Sequence, residues 1–167
     1  MSGRDAALET LASEVGAWLR KRGWMLTTAE SCTGGWIATA VTEIAGSSEW
    51  FDRGFVTYSN SAKQDMLGVQ ANTLVEHGAV SEATVREMAS GALAASRARV
   101  AVAVSGIAGP GGATPGKPVG TVCFAWAVAG RVISETLHFS GDRRAVRLQT
   151  VQHALAMLAQ RAESLED

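Results

Sequence analysis

This chain has few residues of the types that enzymes use most often as bases, metal ligands or cross-links. Its 167 residues include three histidines, two cysteines and three lysines, against 12 arginines. Two cysteines far apart in sequence, Cys32 and Cys123, do not suggest a disulfide scaffold. No cluster of His, Cys, Asp and Glu has the spacing of metal ligands. We therefore expect neither a metal site nor a cofactor.

The chain also lacks a long apolar run and an excess of one charge. No segment approaches the ~20 apolar residues that span a bilayer, and residues 1–23 carry charges throughout, unlike a signal peptide. Fifteen basic and 16 acidic residues give a formal net charge of −1, which gives no reason to expect nucleic acid or an anionic membrane as a partner. We expect a soluble cytoplasmic protein.

Hydrophobic patterns along the chain predict helices and strands in near alternation. The hydrophobic content of 47% is enough for a core, and the length predicts one domain over residues 1–167. Helices are predicted at 3–22, from Thr33 or Gly34 to 46, at 59–67 and 81–96, and as one final helix after Asp142; strands are predicted at 25–29, 55–58, 99–105, 121–128 and 132–139. The short connection at 129–131 indicates an antiparallel hairpin. The pattern predicts an α/β fold, a three-layer α/β/α sandwich around a mixed sheet with a C-terminal antiparallel hairpin.

The stretch Ser31-Cys32-Thr33-Gly34-Gly35 joins the first predicted strand to the second predicted helix. Free N–H groups at the start of a helix can bind an anion or stabilise an oxyanion, and glycine lets the backbone approach a ligand closely. Ser31 would be well placed to attack a carbonyl group. Alternatively, Ser31 or Thr33 simply caps the helix. Cys32 is either a rival nucleophile, since a thiol at such a position has a lowered pKa, or a small buried residue.

A serine nucleophile needs a base. The histidines, His77, His138 and His153, lie in no recognisable motif of a catalytic base. Lysine is the alternative, as in Ser–Lys enzymes, because a desolvated lysine can lose its proton whereas arginine stays charged. The candidate is Lys63, which comes shortly after Tyr58 at the end of a predicted strand. Alternatively, Lys63 is a solvated surface residue and Tyr58 only packs in the sheet.

A Gly/Pro-rich loop spans residues 106–120. Its GGATPGK stretch fits the GxxxxGK part of a P-loop, but Pro118 replaces the Ser or Thr that would hold Mg²⁺, and a strand follows where a helix is required. We therefore exclude an ATPase. The loop could still present N–H groups to a phosphate, or it could be a long surface connection.

Five short motifs follow one another along nearly the whole chain. They are AESCTGG at 29–35, VTYSN at 56–60 with Lys63, HGAVS at 77–81, SGIAGPGG at 105–112 and GTV at 120–122. In this combination the chain resembles the CinA C-terminal domain family, which includes nicotinamide mononucleotide amidohydrolases. Because the chain begins just before the shared domain, it looks like the stand-alone form.

The resemblance implies hydrolysis of the carboxamide of nicotinamide mononucleotide to nicotinate mononucleotide and ammonia, a step of pyridine nucleotide salvage, without a metal. It implies that Ser31 is the nucleophile, Lys63 the base, and Tyr58 a proton relay or a support for Lys63. Backbone N–H groups near Cys32–Gly34 would stabilise the oxyanion. A non-catalytic nucleotide-binding or regulatory module of the same fold stays open as the alternative.

The implied substrate carries a phosphate and a cationic ring, so further contacts are expected. The candidates for substrate binding are Glu30, Cys32, Thr33, Gly34, Gly35, Ser105, Gly106, Gly109, Gly111, Gly112, Arg143 and Arg147. Arg143, Arg144 or Arg147 could hold the phosphate in a bidentate contact or be surface charge. Glu30 could offset the pyridinium charge or form a structural salt bridge. We expect a homodimer.

Overall fold

A computed structural model describes residues 3–166 of this protein. The helices are α1 Gly3–Arg22, α2 Trp36–Thr42, α3 Asn60–Leu67, α4 Ala71–His77, α5 Glu82–Ala94, α6 Arg143–Ala156 and α7 Leu158–Ser164, with a short 3-10 helix at Ser47–Glu49. The strands are β1 Leu26–Glu30, β2 Phe51–Val56, β3 Val100–Gly106, β4 Thr121–Val128 and β5 Arg131–His138. No helix among the described residues is long and apolar enough to cross a membrane.

The five strands form one mixed sheet in the order β2-β1-β3-β4-β5. Strand β1 runs parallel to both β2 and β3, whereas β3, β4 and β5 pair in antiparallel fashion. Ala129 and Gly130 both have positive φ, 49° and 88°, as a tight two-residue hairpin turn requires. The mixed sheet with a C-terminal antiparallel hairpin is confirmed.

Helices cover both faces of the sheet. Successive side chains of a strand point to opposite faces, and β3 shows this clearly. Val100, Val102 and Val104 join the core under α1, α2, α6 and α7, while the smaller Ala101 and Ala103 join the core under α3, α4 and α5. The predicted three-layer α/β/α arrangement is confirmed.

The second predicted strand and the final predicted helix differ from the structure. The second strand was expected at 55–58 but occupies Phe51–Val56, because pairing with β1 along the register Leu26↔Phe51 to Glu30↔Val56 draws the polar residues into the sheet. The final helix was expected to be continuous but divides into α6 and α7, because Met157 has φ −94° and ψ −6°, outside ideal helical dihedrals.

Candidate active site

The candidate site lies at the carboxyl ends of the three parallel strands. Ser31 follows β1, Tyr58 follows β2, and Ser105 lies at the end of β3. Because β1 has β2 on one side and β3 on the other, the connections diverge there and leave a crevice, which is where open α/β sheets bind ligands. A cavity of about 200 Å³ occupies this crevice, and Lys63 reaches it from α3.

The Lys63 amine is held by three oxygens. Nζ lies 3.0 Å from Ser31 Oγ, 2.9 Å from the Thr57 carbonyl oxygen and 3.2 Å from the Tyr58 carbonyl oxygen. Lys63 is 1% exposed and Ser31 is 8% exposed. Burial lowers the pKa of Lys63 below its ordinary value.

These three contacts are compatible with both an ammonium group and a neutral amine at Lys63. An ammonium group has three N–H donors, whereas a neutral amine has two donors and one lone pair. If the carbonyl groups of Thr57 and Tyr58 accept the two N–H bonds, the lone pair of Lys63 faces the hydroxyl of Ser31. Lys63 can then accept the proton of Ser31 without a change of position.

The turn that carries Ser31 depends on two glycines. Gly34 and Gly35 have φ of 61° and 102°, a left-handed conformation that glycine adopts without steric cost. Helix α2 therefore begins at Trp36 and not at Thr33 or Gly34 as expected. The N–H of Gly34 donates to the Ser31 carbonyl at 3.1 Å, so this N–H group is already paired within the turn.

Glu30 lies beneath this turn. Its carboxylate accepts hydrogen bonds from Thr33 Oγ1 at 2.5 Å and from the N–H groups of Ile37 and Ala38 at 2.8 and 3.1 Å. Burial raises the pKa of Glu30, against the effect of these hydrogen bonds. Glu30 thus accepts hydrogen bonds from N–H groups at the start of α2 that have no partner within the helix. Its hydrogen-bond partners are a hydroxyl and amides rather than a cation.

Cys32 is next to Ser31 in the cavity wall but is chemically unlike an activated thiol. It is 6% exposed. Burial, together with the charge of Glu30, raises the pKa of the Cys32 thiol to about 12. Because the thiolate is the nucleophilic form, Cys32 is a poor nucleophile at neutral pH in this setting.

The arginines at the start of α6 differ in what they contact. Arg147 donates from Nε to the Cys32 carbonyl at 3.0 Å and from Nη2 to the Thr33 carbonyl at 3.2 Å, which holds the Ser31 turn. Arg143 donates to the Gly109 carbonyl at 2.9 Å and to the Tyr58 hydroxyl at 3.1 Å, at the cavity mouth. The guanidinium of Arg144 lies over the Trp36 ring, 5.1 Å from its centre.

The chain also matches a known protein family. A family model described as CinA C-terminal domain matches residues 8–162. The chain belongs to the CinA C-terminal domain family. The resemblance recognised from the motifs is therefore confirmed.

Its relatives include enzymes with assigned names. The chain is 59% identical over 157 residues to nicotinamide-nucleotide amidohydrolase PncC of Escherichia coli K12, covering 93% of this chain and 95% of that protein. It is 55% identical over 153 residues to the protein of the same name in Pseudomonas putida, covering 92% and 96%. The crystal structure of competence damage-inducible protein A from Klebsiella pneumoniae matches with a TM-score of 0.92 at 46% identity, covering 95% of this chain and 99% of that one.

The cavity of this CinA-family protein brings together part of the predicted set. The predicted residues that line it are Ser31, Cys32, Tyr58, Lys63, Ser105, Gly106 and Arg143. The predicted residues outside its lining are Glu30, Thr33, Gly34, Gly35, Gly109, Gly111, Gly112 and Arg147. The individual roles of both groups stay predictions.

Sequence reasoning assigned no role to one wall of the cavity. This wall is formed by Ala79 and Val80, between α4 and α5. Neither residue carries a reactive group, so their place in the HGAVS motif of the family was the only sign in the sequence of a role at the site. Lys117 of the glycine-rich loop donates to the His77 carbonyl at 2.7 Å, just before this wall. The loop is therefore tied to the segment that closes the cavity.

The histidines lie outside the cavity lining of the CinA fold. His153 contacts Glu135 of β5, with Nε2 and Oε1 2.7 Å apart. Among residues 3–166, no group of three or more His, Cys, Asp or Glu side chains is arranged to hold a metal ion.

Proposed function

We propose that this protein hydrolyses the carboxamide of nicotinamide mononucleotide to nicotinate mononucleotide and ammonia, through an acyl-enzyme on Ser31 with Lys63 as the base. The Escherichia coli and Pseudomonas putida relatives named amidohydrolases cover more than nine-tenths of the chain. The chain is accordingly an enzyme of the hydrolase class, and these names support the choice of substrate. The reaction would belong to pyridine nucleotide salvage.

The observation that carries the mechanism is the 3.0 Å contact between Lys63 Nζ and Ser31 Oγ inside a buried site. A serine becomes nucleophilic when an adjacent base accepts its proton. Burial lowers the pKa of Lys63 and so favours the neutral amine that this role needs.

In the first half of the reaction, Ser31 Oγ attacks the amide carbon while Lys63 accepts the hydroxyl proton. The N–H groups of Cys32 and Thr33 donate to no backbone carbonyl of the described residues, so they are candidates to stabilise the oxyanion. Each such donor is worth roughly 2.7–4 kcal/mol in the transition state. The C–N bond then breaks, Lys63 returns its proton to the departing nitrogen, and ammonia leaves.

In the second half, water attacks the acyl-enzyme. Lys63, neutral again, accepts a proton from the water, and the ester bond to Ser31 breaks. Lys63 returns this proton to Ser31 Oγ, which restores the hydroxyl group. The carboxylic acid that forms loses its proton to solvent, and the products are nicotinate mononucleotide and free enzyme, with Lys63 neutral again.

The cavity suits only part of the substrate. At about 200 Å³ it is smaller than the ~300–1,000 Å³ typical for whole small-molecule ligands. We infer that it receives the pyridine carboxamide, while the ribose phosphate lies at the mouth beside Arg143 and the glycine-rich loop. A guanidinium there can contact a phosphate in bidentate fashion.

Ammonia release from nicotinamide mononucleotide, measured in the presence of a metal chelator, tests the proposal. We expect release by the wild type and by the control Ser13→Ala, an exposed serine on α1, and only background release by Ser31→Ala. Normal turnover by Ser31→Ala would remove Ser31 as the nucleophile. No release by folded wild type that binds the nucleotide would contradict the function itself.

The single domain over residues 1–167 and the homodimer stay predictions.

A further inference from the structure

A second cavity lies at the opposite end of the sheet from Ser31. It has a volume of about 580 Å³, larger than the catalytic crevice. Four segments surround it: residues 23–25 before β1, the end of α5 at Leu93 and Ala94, residues 97–99 before β3, and the hairpin turn at 129–130. Since Ser31 follows the carboxyl end of β1 and residues 23–25 precede its amino end, the two cavities are separated by the length of the strand.

The charged side chains that line this cavity are both positive. Arg97 and Arg99 line it, and none of the lining residues is acidic. Among the described residues, neither guanidinium forms an ion pair with a carboxylate. The neighbouring carboxylate of Asp52 accepts hydrogen bonds from Arg53 Nε and from the backbone N–H of Arg97, both at 2.9 Å, and its charge also interacts with that of Arg97.

Trp24 and apolar side chains also line this cavity, next to the arginines. The guanidinium carbons of Arg22 and Arg99 each lie 5.0 Å from the centre of the Trp24 ring, and cation–π contacts of this kind orient the guanidinium. Met25 supplies the carbonyl that accepts the N–H groups of both Arg99 and Val100, at 3.0 and 3.2 Å. Two guanidiniums, an indole and apolar side chains therefore converge on one concave space.

We propose that this cavity binds a nucleoside phosphate, with the phosphate on Arg97 and Arg99 and the base against Met25 and Leu93, beside Trp24. The planar guanidinium matches phosphate oxygens in a bidentate contact, and a flat apolar group complements the wall. The volume lies within the ~300–1,000 Å³ range of small-molecule sites. A nucleic-acid strand would instead need a row of cations over an extended surface, whereas here the cations converge on one cavity.

This site is independent of the proposed reaction, because it shares no residue with the catalytic crevice. Its position makes it suitable for an effector that binds without blocking the substrate. The proposal can therefore succeed or fail whatever the catalytic mechanism is.

Calorimetric titration with adenosine diphosphate at low salt tests the proposal. We expect 1:1 binding to the wild type, weakened about tenfold by Arg97→Ala and again by Arg99→Ala, as the loss of a hydrogen bond to a charged group predicts. Arg86→Ala, which removes an exposed arginine of α5 outside the cavity, is the matched control and should bind normally. Adenosine should bind much more weakly than the diphosphate.

Three outcomes would overturn it. They are no binding to the wild type, equal weakening by Arg86→Ala, or a loss caused by Arg143→Ala but not by Arg97→Ala, which would place the nucleotide in the catalytic crevice. Arg97 is exposed and donates no side-chain hydrogen bond among the described residues. Arg97→Ala therefore keeps the test valid even if Arg99→Ala loosens Trp24, and thermal melting verifies the fold of each variant.

Discussion

Lys63 Nζ and Ser31 Oγ lie 3.0 Å apart, although 32 positions separate the two residues in the chain. The parallel pairing of β1 with β2 brings them together, because the turn after β1 carries Ser31 and the chain after β2 enters α3 with Lys63. Carbonyl groups of Thr57 and Tyr58 hold the amine from the other side. The base is therefore oriented by backbone and not by a third ionisable side chain.

Lys63→Arg should fail nearly as completely as Lys63→Ala, because arginine stays protonated. A positioned acid–base group contributes about 10²- to 10⁴-fold, so we expect a loss of at least that size. In the wild type, kcat/KM should rise with pH and level off at an apparent pKa below the ordinary 10.5 of lysine, since burial lowers the pKa of Lys63. A pH–rate profile measures this, with Lys21→Arg on α1 as the control. Near-normal turnover by Lys63→Arg would contradict the assignment.

Lys63 should lower the free energy of unfolding of the protein as the pH falls. The pKa of Lys63 is lower in the folded state than in the unfolded chain, so the folded state binds fewer protons there. Its contribution to the free energy of unfolding is present above the ordinary lysine pKa and is lost as the pH falls to the lowered value. Lys63→Met should therefore gain stability relative to the wild type as the pH falls from about 10. Urea unfolding at a series of pH values measures the difference, and a pH-independent difference would be inconsistent with this account.

Cys32→Ala should keep substantial activity, and iodoacetamide at neutral pH should leave the wild type active. The thiol is buried and its pKa is raised to about 12, so little thiolate is present. Residual turnover and the mass of the treated protein are the measurements, with the buried Cys123→Ala as the control. Complete loss of activity in folded Cys32→Ala would move the nucleophile to Cys32.

Tyr58→Phe should raise KM more than it lowers kcat. The Tyr58 group that contacts Lys63 is its backbone carbonyl, which phenylalanine retains, whereas the hydroxyl accepts from Arg143 Nη2. Loss of one hydrogen bond predicts about a two- to tenfold effect. A double-mutant cycle with Arg143→Ala should be non-additive, because both residues act in one contact. A fall in kcat as large as that of Lys63→Ala would instead place the hydroxyl in the proton path.

Lys117→Met should raise KM while leaving kcat nearly unchanged. It removes the 2.7 Å hydrogen bond to the His77 carbonyl at the end of α4 and so loosens the Ala79–Val80 wall of the cavity. We expect about a two- to tenfold rise in KM. Lys117→Arg should restore most of it, and Lys21→Met should have no effect. Equal falls in kcat and kcat/KM would show that Lys117 acts on the chemistry instead.

Gly91→Ala should destabilise the protein strongly. A Cβ at Gly91 of α5 would lie 1.9 Å from the Leu67 carbonyl oxygen at the end of α3, and backbone cannot yield as a flexible side chain can. We expect a loss of at least about 3 kcal/mol in the free energy of unfolding, measured in urea. Ser90→Ala, its exposed neighbour, should stay within about 0.5 kcal/mol of the wild type. Equal stability of both variants would mean that α3 and α5 do not approach this closely.

Local patterns were enough to predict most of the helices and strands. Ser81 and Asp142 were recognisable as helix caps, and their side chains do accept from the N–H groups of Thr84 and Ala145. A cap acts within one turn of helix, so its signal lies in adjacent residues. β2 was misplaced because its pairing with β1 involves residues about 25 positions away, a contact that no local propensity reports.

For the candidate site, residue type and family motifs identified Ser31, Tyr58 and Lys63, but not how they meet. Tyr58 was predicted as a proton relay or as a support for Lys63, and the group that contacts Lys63 in the fold is its backbone carbonyl. Arg147 was predicted as a substrate contact, which stays a prediction; in the fold it donates to the carbonyls of Cys32 and Thr33, 115 and 114 positions away. Such contacts arise when α3 and α6 pack on opposite faces of one sheet. Backbone groups look the same at every position of a sequence, so only the tertiary structure could select those that face the amine.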